Sequence, residues 1–353
     1  EASFNLCGKE YKEENWTQLD CSLSTGKEKL NFSISPTLMG RLLRVQDYMI
    51  LRLIKDINFK RPIYFAATVA TNNQIGLEKY LMMEGMTYRL SQVENSSEIH
   101  SINYDQMKNN LLESSYDNII YNEFDYKNIS NLNKGIYRYR NLDDSTIYFN
   151  DNIKRLVQNY RIGFIRLAQY NVENKNYKEA DEMIELMNSY FPPNTLTIEP
   201  GIAILISDSI YGAMNNNNKQ IKTLKNLFNN KLNIDTEIYL LMKLSELGDI
   251  DYVKNKALDI YKSKNHLLNF ELEKYIGDIL SDYLEVPDFI DFCNSVYEFS
   301  NPIGLLYSMV RVYDEIGERD KAIIILENWL NTNPNNQDLI QLRDYMVQLN
   351  YLQ

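Results

Sequence analysis

The sequence predicts a mostly α-helical protein, a helical solenoid preceded by a small α/β domain. Three observations lead there. From residue 150 to the C-terminus apolar residues recur at spacings of three and four, the period of helices with one buried face. Small residues and prolines return in that half at fixed offsets, the mark of an internal repeat. Residues 30–93 mix the helical period with stretches of strict alternation, the period of strands.

Composition agrees with a folded protein. The chain has 353 residues, 44% hydrophobic and 24% charged, which allows one large or two to three ordinary domains and excludes wholesale disorder. With 13 Gly and 8 Pro, collagen-like, Pro-rich and turn-dense all-β chains are excluded too. A net charge of −11 argues against a general nucleic-acid binder, because a polyanion is repelled on average. The longest apolar stretches, Pro62–Ala67 with Val69 and Ala70, and Ile202–Ile206, fall short of the roughly 20 residues a bilayer span needs. The start, Glu-Ala-Ser-Phe-Asn, lacks the basic and apolar regions of a signal peptide and an initiator Met, so the chain reads as a mature form or a piece of something longer. Asn makes up about one residue in eight, read as a low-GC genome rather than a function.

Residues 1–29 are polar and patternless, an irregular segment. In the domain at 30–93, Leu30, Phe32 and Ile34 alternate with polar neighbours as a strand that Pro36 ends. Met39, Leu42, Leu43, Gln46, Met49, Ile50, Leu53, Ile54 and Ile57 predict an amphipathic helix of about five turns. Pro62–Val69 reads as a buried strand, Gly76–Glu84 as a helix stopped by Gly85, and Met86–Val93 as a strand, which together give a mixed sheet with two helices. Residues 94–150 form a connector with one helical patch at Tyr104–Leu112 and a possible hairpin at Ile136–Phe149.

Residues 151–353 carry the repeat. Ile153 to Ala168 form one helical stripe, and Ala180, Met183, Ile184 and Met187 a second, with Asn176 and Glu179 placed for a capping box. Counting from Arg161, Ala168 falls at position 8, Ala180 at 20 and Pro192 at 32; counting from Ile303, Tyr313 falls at 11, Gly317 at 15, Ala322 at 20 and Pro334 at 32. This is the spacing of the tetratricopeptide repeat of about 34 residues, a right-handed solenoid of helix pairs. Degenerate pairs fill the interval, and residues 336–350 read as the cap helix that a solenoid's last apolar face requires.

No catalytic constellation stands out. There is no Ser/His/Asp, Cys/His or phosphate-cradling arrangement and no metal-ligand spacing, so neither metal nor cofactor is called for. Cys7 and Cys21 either form a disulfide, which suits an oxidising compartment, or are unrelated thiols. Cys293 reads as a small core hydrophobe. In the first helix pair Arg161, Ile165, Gln169 and Val172 are placed to line a concave groove that binds a peptide, against a plain solvated face. In the α/β domain Arg44 and Asp47 either face a partner or make an exposed ion pair, and Arg61 either binds an anion or makes an internal salt bridge. Glu84, Tyr88 and Arg89 either line a pocket or shape a turn.

Several stretches together resemble one family. They are Leu43-Arg44-Val45-Gln46-Asp47, Lys60-Arg61-Pro62-Ile63-Tyr64-Phe65-Ala66, Ile75-Gly76 through Tyr88-Arg89-Leu90, Tyr137-Arg138-Tyr139-Arg140-Asn141-Leu142 and Asn159-Tyr160-Arg161. The sequence is similar over residues 40–190 to the C-terminal region of bacterial relatives of transmembrane protein 260, the domain of unknown function 2723. That family looks like membrane-embedded glycosyltransferases of the protein O-mannosyltransferase kind, using lipid-linked sugar donors and carrying a soluble tail with tetratricopeptide-like helices. The resemblance implies a non-catalytic, extracytoplasmic (periplasmic) tail on a bacterial membrane. Such a tail would bind an acceptor, a protein or peptide partner, or its own membrane domain, and would not be an enzyme alone. The alternative is a free-standing tetratricopeptide scaffold that binds peptides in its groove.

Overall fold

The structure, a computed structural model, describes residues 19–25, 28–39, 43–95, 101–112, 137, 139 and 141–351. It divides into two compact units, Glu1–Asn215 and Asn216–Gln353. The division falls inside the stretch that the sequence presents as one repeat array, and it places the first helix pair with the β-rich region.

The first unit opens with a hairpin. Strand β1 (Leu19–Thr25) pairs antiparallel with β2 (Glu28–Ile34), Cys21 opposite Phe32 and Leu23 opposite Leu30. These four and Ile34 are buried. β2 is the expected strand. β1 corrects the reading of residues 1–29 as irregular, for Leu19, Cys21 and Leu23 already alternate.

Helix α1 (Val45–Ile57) is shorter than the expected five turns. The cause is a polar network at its start. The Thr37 hydroxyl donates to the Asp47 carboxylate and accepts the Arg44 N–H, and Arg44 keeps an extended backbone as N-cap. Strands β3 (Tyr64–Ala66), β4 (Leu81–Met83) and β5 (Thr87–Leu90) form a second sheet in the order β3-β5-β4, antiparallel throughout. Among the described residues the expected mixed sheet with two helices is therefore two antiparallel sheets and one α-helix before residue 95. Gly76–Glu84 is a turn, a short 3-10 helix at Glu78–Tyr80 and β4, not a helix. Gly76 takes φ +79°, and a Cβ there would sit 2.1 Å from the Ser33 carbonyl oxygen, so the chain must turn against β2. The strand expected at Pro62–Val69 shrinks to β3; Phe65 within it and Ile63 just before it are buried, but Tyr64 is exposed.

Helix α2 (Tyr104–Leu112) forms as expected. Residues 141–149 form turns rather than half a hairpin; the remainder of that stretch lies outside the described residues apart from Tyr137 and Tyr139. Helices α3 (Asp151–Glu173) and α4 (Tyr177–Tyr190) pack as a pair with Ala168 and Ala180 fully buried. Helix α5 (Pro200–Ile206) runs on as a π-helix at Ser207–Gly212. Met83, Ile102, Met107, Leu111 and Tyr139 share one core with Phe164, Leu167, Met187 and Phe191 of this pair. The connector and the first helix pair thus bury their apolar faces in each other.

The second unit is helical throughout: α6 (Asn217–Leu227), α7 (Ile234–Glu246), α8 (Ile250–Lys264), α9 (Phe270–Tyr283), α10 (Val286–Tyr297), α11 (Ile303–Glu315), α12 (Arg319–Thr332) and α13 (Gln337–Tyr351). First helices pack on first helices (α7 on α9, α9 on α11), α8 packs on α10, and α13 covers α12, the neighbour-on-neighbour packing of a solenoid. The thirteen helices among the described residues follow a β-rich start, so the fold is mostly α as the periodicity predicts.

Most of the pairs share one turn. A residue at positive φ (Lys175, Asn215, Gly248, Gly317) precedes the second helix in four of the five; the turn between α9 and α10, at Leu284 and Glu285, has none. The next N–H reaches back five residues in three of them: Asn176 to Asn171, Asp249 to Leu244 and Glu318 to Tyr313. Asparagine has a structural use here. Asn150, Asn216, Asn233, Asn269 and Asn336 each accept the N–H three residues on and cap a helix. Asn176 does not; its side chain makes no cap bond, and the expected capping box is absent.

The tightest crossing joins α9 and α11. A Cβ on Gly304 would lie 2.3 Å from the Phe270 carbonyl oxygen and 2.5 Å from the Lys274 nitrogen, both backbone, whereas one on Gly277 meets the Ser308 side chain. We expect Gly304→Ala to lower the thermal midpoint by roughly 5 °C or more, since overpacking costs about 1–3 kcal/mol, and Gly277→Ala to cost less because a side chain yields more easily than backbone. Equal midpoints in calorimetry would show that the crossing is looser than described.

Candidate functional site

The first unit contains a polar cleft of about 450 Å³. Its floor comes from the second sheet, through Leu81 of β4 and Tyr88 of β5. Its rim comes from the turns around that sheet, through Thr71, Gln74, Glu78 and Lys79, and from Asn95 and Ser101. Arg166 of α3 completes it. The local fold explains the placement. Antiparallel pairing puts Tyr88 beside Phe65 and Met83 on the inner face of the sheet, where its ring borders both hydrophobic cores of the unit. Gln74 is tied to the Val69 carbonyl and Asn95 to the Leu81 carbonyl, so the rim is fixed by backbone bonds. Lys79 is paired with Glu94 at 2.9 Å, which holds its ammonium pKa above the usual value. Arg166 makes no ion pair among the described residues. The cleft thus offers an aromatic face, amides, hydroxyls and one uncommitted guanidinium.

Of the residues singled out by sequence, Tyr88 alone lines this cleft. Its neighbours serve the turn between β4 and β5. Glu84 is buried, accepting from the Tyr64 hydroxyl (3.2 Å) and the Asn103 amide (2.9 Å), with the exposed Arg89 3.6 Å away. Burial first, and the Glu84 charge second, push the Tyr64 hydroxyl pKa up. The backbone of the same turn is held by the Asn110 amide on the Glu84 carbonyl and by the Tyr137 hydroxyl, which accepts the Met86 N–H at 2.7 Å.

Arg44 and Asp47 form a forked pair, both bonds 2.9 Å, and Asp47 is buried. The exposed ion pair foreseen as the plain alternative is thereby corrected. Burial alone would raise the Asp47 pKa; the hydrogen bonds from Arg44 and Thr37 and the Arg44 charge outweigh it and hold the carboxyl below its ordinary value of 3.8. Arg61 is exposed and has no salt bridge among the described residues.

The groove assignment on α3 is overturned for two of its four residues. Arg161 is fully buried, and its guanidinium donates to Gln158 Oε1, to the Thr197 and Phe191 carbonyls at 2.9 Å each, and to the Leu196 carbonyl. Ile165 is buried in the core. Both lie on the inward stripe that also carries Val157, Phe164 and Ala168, so neither is open to a peptide. Gln169 is half-buried and donates to Ser209, and Val172 is half-buried against the core. Sequence reasoning missed Arg166, Lys79 and Gln74, and no spacing relates residues 71–101 to 166. Cys21 is disulfide-bonded and Cys293 is a free, buried thiol whose pKa burial pushes well up; Cys7 lies outside the described residues. Among the described residues no group of His, Cys, Asp or Glu could hold a metal ion, and no helix is long and apolar enough to cross a membrane.

Two outcomes follow from the buried charges. Arg161→Ala strands several inward carbonyls, and we expect a loss of about 3 kcal/mol in denaturant unfolding, with Arg161→Lys recovering little because an ammonium cannot span the four acceptors. Asp47 stabilises the fold above its ordinary pKa, and that contribution disappears as pH falls through the depressed folded value. Asp47→Asn should therefore flatten the acid limb of the stability profile below about pH 4 while lowering stability at neutral pH by about 2 kcal/mol. Parallel acid limbs in the two proteins would contradict this.

Comparison with known proteins gives one match. Residues 21–111, which run from β1 to the end of α2, match the family model described as TMEM260-associated domain 2. No curated protein and no solved structure matches the chain. All the residues lining the cleft except Arg166 lie within the matched stretch, so this chain is similar to that domain across the part that builds the site.

Proposed function

We propose that the chain is a non-catalytic, extracytoplasmic region of a membrane-embedded glycosyltransferase-like protein of the protein O-mannosyltransferase kind, on the periplasmic side of a bacterial membrane, and that it binds an acceptor or protein partner at the cleft. The match of residues 21–111 to a domain named for its association with TMEM260 carries this reading. It falls on the same segments whose motifs resemble the tail of that family. Two features support it. The disulfide at Cys21 suits an oxidising compartment. The cleft mixes an aromatic ring with amides, hydroxyls and a cation, a lining suited to polar acceptors. The free-standing scaffold reading loses its support, because Arg161 and Ile165 of its groove are buried.

The purified chain, incubated with a polyprenyl-phosphate-linked radiolabelled sugar and membrane-protein acceptors, should transfer no label. Transfer by these residues alone would overturn the non-catalytic role. An upstream in-frame coding sequence without multiple membrane spans would overturn the attachment.

A further inference from the structure

Helix α1 turns Asp47, Leu51 and Ile54 inward and leaves an apolar stripe on its other side. Val45, Met49 and Leu53 follow one another at a spacing of four and are 78%, 60% and 48% exposed. The bonds from Thr37 to Asp47 and Arg44 hold the preceding loop at the start of α1, where Leu38 and Met39 are 41% and 87% exposed. Met39 adopts φ +52°, a conformation disfavoured for a non-glycine residue, and still presents its side chain outward. Three large apolar side chains thus share one exposed helix face, and two more are exposed in the segment tied to its start, whereas isolated surface hydrophobes are scattered singly.

Charge singles out the same segment. Residues 43–61 hold five cations and two carboxylates, a net of +3 in a chain of −11. Arg44 pairs with Asp47 and Arg52 with Asp56. Lys55, Lys60 and Arg61 remain, all exposed and without an ion pair among the described residues.

We propose that this face of α1, with Leu38, Met39 and the cations that follow the helix, is a membrane-interface surface that rests on anionic lipid headgroups. An apolar stripe bordered by cations fits the boundary between headgroups and acyl chains, where the side chains insert and the ammonium and guanidinium groups meet phosphates. Charge complementarity selects this occupant: a second copy of the chain would bring the same positive face against its like. The inference stands apart from the proposed glycosyltransferase attachment, since the patch would meet a bilayer whatever else the chain is joined to.

Flotation with vesicles tests it. The full chain should bind vesicles of phosphatidylcholine mixed with phosphatidylglycerol, bind phosphatidylcholine alone far less, and release with added salt. The pairs Met49→Ser with Leu53→Ser, and Lys60→Glu with Arg61→Glu, should each lower partition by about tenfold or more while leaving the thermal midpoint unchanged, because all four side chains are exposed. The salt series on the unaltered protein gives a reading that needs no variant. No binding to the anionic vesicles, binding that ignores salt, or binding by both variant pairs equal to that of the unaltered protein would overturn the proposal. So would a concentration-dependent dimer, seen by sedimentation without vesicles and lost in both variant pairs, for that would assign the face to a second copy.

Discussion

A buried guanidinium holds the first helix pair closed. After α4 the chain turns through Pro192-Pro193 and runs back toward α5, and this passage points the carbonyls of Phe191, Leu196 and Thr197 inward. Buried carbonyls need donors, and no backbone N–H of the connecting segments among the described residues serves these. Arg161 supplies them from a single planar fork, with Gln158 bracing it and donating to Thr197 as well. Among the described residues no carboxylate makes an ion pair with the cation. Burial draws its pKa down to about 10, partly offset by the charge of Glu199, so it stays protonated at neutral pH and is held by carbonyl dipoles. Phe191, whose carbonyl accepts from that fork, is also an edge-on neighbour of Tyr139 and Phe164. Removing Arg161 would therefore loosen the passage, the helix pair and the aromatic core that joins them to the connector.

That core explains which parts of the fold are legible in the sequence. Long helices carry many turns of the same stripe, so α3, α4 and the helices of the second unit stand where the periodicity puts them. Three-residue strands carry too few residues to separate a period of two from one of 3.6. Leu81-Met82-Met83, flanked by Leu77 and Tyr80, fits a helix as well as a strand, and only the contact of Gly76 with β2, more than forty residues away in sequence, decides it. The first turns expected of α1 are lost for a similar reason: the bond between Thr37 and Asp47 links residues ten apart and holds the backbone extended at Arg44.

The misplaced groove has a different cause. Polarity suggests exposure, yet Arg161 sits four residues from both Val157 and Ile165, on the stripe that the apolar residues define. The stripe was visible; what could not be read is that the loop after α4 presents carbonyls to it. The cleft is harder still. Its lining draws on two turns, two strands and one helix, and the guanidinium of Arg166 reaches it only because α3 packs beside the sheet. Arg166 lies one position beyond Ile165, which turns inward, and that single step along the helix separates a core residue from a cleft residue.

The matched domain and the first helix pair are one physical object. The match ends at residue 111, but Leu111 and Met107 are fully buried, and what buries them includes α3. A Cβ added at Gly163 would stand 3.0 Å from the Leu111 side chain, so α2 and α3 are closely packed there. Tyr104 stacks on Tyr170 at 4.6 Å and its hydroxyl donates to Asn171, which fixes the two helices along their length. Cutting the chain after the match would expose this apolar surface and remove Arg166 from the cleft. The smallest part that keeps both the core and the site therefore includes α3 and α4, and with them the passage that Arg161 secures.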